Sequence, residues 1–159
     1  MYSYRQQRMV MKSGLVYLDV CALCRPFDDQ RYVRIRLESE AVQLILENIR
    51  YHRIRLVVSP VHYREILDIA NAIYRNNFLT LLDKHGELCN VNMTETRQKA
   101  ESLCAAGFGI ADGAHVAFAE SVGADFVSCD DRLLKKCGKT WLNVWCGDPL
   151  QYCAKECLK

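Results

Sequence analysis

Short apolar runs alternate with amphipathic stretches of helical period, and this pattern constrains the fold more than any other feature of the chain. Leu15-Val-Tyr-Leu-Asp19-Val is one such run. Arg55-Leu-Val-Val-Ser59 and Asp125-Phe-Val-Ser-Cys129 are two more, and Leu142-Asn-Val-Trp145 is a fourth. Runs this short, apolar on both pleat faces, suit strands covered on both sides. Between them lie stretches with apolar residues at spacings of three and four, the mark of a helix with one buried face. The first is Ile35, Leu37, Ala41, Leu44, Ile45 and Ile49. Ser59-Pro60 opens a second helix, with Ser as cap and Pro in the first turn. It carries Val61, Ile66, Ile69, Ala70 and Ile73. Further helices are expected over 78–84 (ended by Gly86), 94–106, 110–122 (ended by Gly123) and 132–136. The stretch from Arg25 to Asp29 reads as loop. Strand and helix in alternation predict a parallel sheet with helices on both faces.

The expected organisation is one domain over 15–155 behind a polar, flexible tail over 1–14, in a chain of 159 residues. No apolar run approaches the ~20 residues of a membrane helix. The polar start, MYSYRQQRMVMK, is not expected to act as a secretory signal. Nine cysteines without such a signal point to reduced thiols and a cytoplasmic location. Cys21-Ala-Leu-Cys24 is a lone C-x-x-C, which reads first as small packing residues and only secondarily as a zinc or redox motif.

Charge is unevenly spread. The first 75 residues carry 12 Lys and Arg against 8 acids, and the remainder 9 against 11. Arg25, Arg31, Arg34, Arg36, Arg50, Arg53 and Arg55 make the first half a candidate phosphate-contacting surface. Glu38, Glu40 and Glu47 are equally available to pair with them.

The acids carry the chemistry. In open parallel sheets, sites lie beyond the carboxyl ends of the strands. Asp19 ends the first run, and Asp130 follows the third. Glu65 lies in the second turn of the helix after the second strand, and Asp112 in the first turn of the helix leading to the third. Four carboxylates from separate elements would meet at one rim. Such a cluster repels itself unless a cation or protons intervene. Each acid also has a plain role open to it. Asp130 or Asp131 can cap the helix at Arg132, Glu65 can pair with His62, Arg64 or something distant, and Asp112 can be an ordinary first-turn acid.

From Leu15 to Tyr152 the chain resembles the PIN-domain family. The resemblance rests on four ordered motifs. They are Val16-Tyr-Leu-Asp19, Ser59-Pro-Val-His-Tyr-Arg-Glu65, Asp112-Gly-Ala-His-Val-Ala-Phe-Ala119 and Ser128-Cys-Asp130, with Asp148-Pro-Leu150 after the last strand. It implies a three-layer α/β/α sandwich around a short central parallel sheet. It implies a Mg²⁺- or Mn²⁺-dependent endoribonuclease whose metal is held by Asp19, Glu65, Asp112 and Asp130. Asp131 is a further candidate for the metal or its outer shell. It also implies a toxin of the toxin–antitoxin type, with an RNA substrate, a small antitoxin partner and a homodimer. One departure bears on activity: the family follows its first Asp with a hydroxyl residue, whereas Val20 and Cys21 follow Asp19 here. The alternative reading is therefore a PIN-fold binding or partner-regulated module with weak or no catalysis.

Overall fold

The computed structural model describes residues 14–159, so the tail expected over 1–14 lies outside the described residues apart from Gly14. Five strands form one parallel sheet in the order β3-β2-β1-β4-β5. They are β1 (Leu15–Leu18), β2 (Arg55–Val58), β3 (Gly86–Leu88), β4 (Asp125–Val127) and β5 (Cys146–Gly147). The helices are α1 (Val20–Cys24), α2 (Val33–Arg50), α3 (Pro60–Leu67), α4 (Ala72–His85), α5 (Met93–Ala105), α6 (Ile110–Val122), α7 (Asp131–Lys139) and α8 (Pro149–Glu156). This is the three-layer α/β/α arrangement expected from the alternation.

Strand β1 is central, and its side chains alternate between the two layers because successive strand residues face opposite ways. Val16 and Leu18 face a core built with Val42, Ile45 and Ile49 of α2, Ile66 of α3, Phe78 and Leu82 of α4 and Tyr152 of α8. Tyr17 faces the other core, with Leu103 of α5, Val116, Ala117 and Phe118 of α6, and Leu133 and Cys137 of α7. Burying each large apolar side chain contributes about 1.5–3 kcal/mol, and this is what holds both helical layers on so short a sheet.

The three inner strands and the long helices fall where the sequence puts them, and the edges do not. Strand β5 is Cys146–Gly147, beyond the expected Leu142–Trp145. Strand β3 was not expected: Gly86 caps α4 and then pairs with Leu56 of β2. Edge strands are covered less completely than inner ones, so they need no continuous apolar run and leave little trace in a sequence. The helix expected from Pro60 through Ile73 is two helices. The Asn71 side chain accepts from the N–H groups of Ile73 and Tyr74 and so starts α4 afresh. Residues after Asp19, expected as strand end and loop, form α1, because the Asp19 carboxylate caps them.

Candidate metal site

Asp19 stands where β1 ends and α1 begins, and its Oδ1 accepts from the Ala22 N–H at 2.9 Å. Asp130 does the same work after β4, where its Oδ1 accepts from the N–H groups of Arg132 and Leu133 at 2.8 and 3.1 Å. Glu65 comes from α3, whose start is fixed by Ser59 and Pro60. Asp112 lies in the first turn of α6, where the outward N–H groups favour a negative charge. β1 and β4 are neighbours in register, with Leu18 opposite Val127. The two capping acids therefore emerge side by side at the carboxyl rim. Asp19, Glu65, Asp112 and Asp130 line one small cavity of about 80 Å³ together with Val20, Cys21 and His115.

The electrostatics are those of a crowded anionic pocket. Asp19 is nearly fully buried, and its pKa is raised by that burial, against the opposing effects of the Ser128 hydroxyl, the Ala22 N–H and the Cys21 thiol. The pKa of Asp112 is raised by burial first and then by the charges of Asp130 and Glu65. Glu65 moves the other way, because it accepts a hydrogen bond from His115.

Cys21 answers the departure noted in the sequence. Its Sγ lies 3.2 Å from Asp19 Oδ1 and donates to it, and 3.4 Å from Ser128 Oγ. The Ser128 hydroxyl in turn accepts from the Asp130 N–H at 3.0 Å. A thiol one residue beyond Val20 thus donates to the first acid.

Asp131 sits elsewhere. Both its oxygens engage the Arg34 guanidinium, which also binds Glu38 Oε1 at 2.8 Å. Asp131 lines a neighbouring groove of about 520 Å³ with Arg25, Arg34, Glu38, Asp130 and Arg132. Most of the arginine-rich surface is tied to acids in this way: Arg25 to Asp28 and Glu38, Arg31 to Asp29, and Arg55 to Glu87. Asp130 is the residue shared by the groove and the acidic pocket.

The sequence reading missed His115. It lies three residues after Asp112 and therefore on the same face of α6. Its Nε2 is 3.0 Å from Glu65 Oε2 and its Nδ1 is 2.6 Å from the Tyr17 hydroxyl. That spacing was the one available signal, and the surrounding apolar residues masked it.

The donor set suits a hard dication. Asp19, Glu65 and Asp130 each commit one oxygen to the bonds above, leaving the other for a ligand, and oxygen donors are what Mg²⁺ and Mn²⁺ take. Like-charge crowding on Asp112 is the cost a cation would relieve. Among the described residues no three such groups already stand at ligating spacing, so binding would require the carboxylates to draw together.

No family model matches this chain, and no curated protein matches it in sequence. Solved structures do resemble it in fold. The crystal structure of FitAcB from Neisseria gonorrhoeae aligns with a TM-score of 0.52 at 14% identity, covering 85% of this chain and 98% of the other. The structure of FitAB bound to an IR36 DNA fragment aligns at 0.53 and 16% identity, covering 84% and 94%. At such identities the likeness speaks to the fold, which is PIN-like.

Proposed function

We propose that this chain is a metal-dependent endoribonuclease, the toxin component of a toxin–antitoxin pair, with Asp19, Glu65, Asp112 and Asp130 as its metal-holding acids. One observation carries the reading: four carboxylates from α3, α6 and the ends of β1 and β4 line one pocket at the carboxyl rim of the sheet. The likeness in fold to FitAB, a structure of which is bound to DNA, supports the toxin–antitoxin setting and an accompanying small partner protein.

A bound Mg²⁺ or Mn²⁺ would supply an activated water and charge neutralisation at a phosphodiester. The rest falls to the chain. The capping bonds hold one oxygen each of Asp19 and Asp130 at the rim of the sheet. Burial of Asp19 keeps bulk water from its inner side. Arg25, Arg34 and Arg132 line the adjoining groove, a route by which an anionic strand reaches Asp130. No covalent nucleophile on the protein is required.

The test is RNA cleavage with Mn²⁺ or Mg²⁺, using structured and single-stranded substrates. Cleavage abolished by EDTA and by Asp19→Asn and Asp112→Asn is expected. Cleavage that survives both substitutions refutes the assignment. RNA binding with no turnover at any metal concentration would favour the binding-module reading.

A further inference from the structure

We infer that His115 is a positioning residue for Glu65, and that through it the core of the protein sets the affinity of the acidic pocket for a divalent cation. The inference rests on the metal reading above and adds to it a residue that stands inside the third motif but is not one of the four acids.

The hydrogen bonds can be assigned a direction. The Glu65 carboxylate only accepts, so His115 Nε2 carries the proton and donates to Oε2 at 3.0 Å. In the neutral ring Nδ1 is then an acceptor, and the Tyr17 hydroxyl, 2.6 Å away, donates to it. With its proton used, the Tyr17 oxygen accepts from the Ser59 hydroxyl at 2.7 Å. Ser59 is anchored in turn as the cap of α3, where its Oγ accepts from the Val61 N–H and its own N–H donates to His62 Nδ1 at 3.0 Å. Neutral His62 therefore holds its proton on Nε2 and gives it to the Leu18 carbonyl at 2.7 Å.

Every group in this chain except Glu65 is sealed. Tyr17 and Ser59 have no exposure, His62 none, and His115 2%. A line that ends on the buried Leu18 carbonyl has no outlet for a proton, so it serves orientation. The Tyr17 ring also packs on both imidazoles, with centroids 4.5 Å from His62 and 5.5 Å from His115. His115 has no freedom to turn, and its Nε2–H pins one oxygen of a carboxylate that is otherwise one-third exposed. The bond leaves the other oxygen of Glu65, a residue that lines the pocket, unengaged by His115. Groups that orient a metal-ligating side chain commonly govern metal affinity by 10–100-fold.

The test is Mn²⁺ titration of the full chain by calorimetry, with unfolding midpoints measured alongside. His115→Leu puts an apolar side chain of similar size in its place and loses both the donor to Glu65 and the acceptor for Tyr17. A 10–100-fold weaker Mn²⁺ Kd is expected with the fold retained. His115→Gln places an amide N–H near the position of Nε2 and should restore most of the affinity. Tyr17→Phe frees His115 Nδ1 while leaving the His115–Glu65 pair intact, and should weaken binding less, in the same direction. It decides the matter alone if His115→Leu does not fold. If the parent binds Mn²⁺ and both His115→Leu and Tyr17→Phe bind it equally well, the positioning role fails while the metal reading stands. If the parent itself binds no Mn²⁺, both fall together.

Discussion

The phenol oxygen of Tyr17 lies 2.6 Å from Nδ1 of His115, joining the central strand to α6 across 98 residues of chain. Both side chains are buried, so neither can turn to water for a substitute partner. Tyr17→Phe leaves His115 Nδ1 short of a partner, while the Ser59 hydroxyl keeps the Val61 N–H and stays 3.4 Å from His62 Nδ1. An unsatisfied buried group costs about 1–3 kcal/mol, and urea unfolding should show a loss in that range. A loss near zero would mean that the bond is compensated or absent.

Asp19→Asn should stabilise the metal-free protein at neutral pH. Burial raises the Asp19 pKa in the folded state, so the folded chain holds this proton more tightly than the unfolded one. Stability from this group is complete below the unfolded carboxyl pKa, about 3.9, and is lost as pH rises through the raised folded value. An amide keeps the Oδ1 cap to Ala22 and removes the charge. In EDTA, the midpoint should rise at pH 7. The gain should vanish toward pH 4. Glu65 has the opposite sign: its lowered pKa gives stability present at neutral pH and lost as pH falls through the folded value. A constant offset from pH 4 to 8 would contradict the assignment for Asp19.

Asp131→Ala should matter little to metal or stability. Its partner Arg34 and Asp131 itself are both more than half exposed, and exposed pairs contribute about 0–1 kcal/mol. Mn²⁺ affinity should stay within about twofold of the parent, far from the 10–100-fold losses expected for groups that orient a ligand. A large loss of affinity would return Asp131 to the metal.

Gly86→Ala should destabilise the β3 edge. A Cβ there would stand 2.6 Å from the Leu82 carbonyl oxygen and 2.8 Å from Val58 Cγ1. Neither the backbone of α4 nor a β-branched side chain packed on the sheet yields easily. Overpacking of this kind costs about 1–3 kcal/mol, readable as a shift in the urea midpoint. Unchanged stability would show that the edge relaxes freely.

The inner sheet was legible in the sequence because β1, β2 and β4 are covered on both faces, and that demands unbroken apolar runs such as Leu15–Leu18. The edges β3 and β5 escaped because Gly86-Glu-Leu88 and Cys146-Gly147 pair through backbone alone on one side and need no such run. Asp19, Glu65, Asp112 and Asp130 could be named as candidates, since parallel topology fixes where strand ends and helix starts must lie.

What the sequence determined by itself is therefore periodic: which segments are the inner strands, which are the long helices, and which acids fall at the carboxyl rim. Only the tertiary structure decided the partners. It sent Asp131 to Arg34, turned the Cys21 thiol onto Asp19, and set His115 between Tyr17 and Glu65. Periodicity places a residue along its own segment. A hydrogen bond spanning 50 or 98 residues depends on how separate segments stack, and no local pattern encodes that.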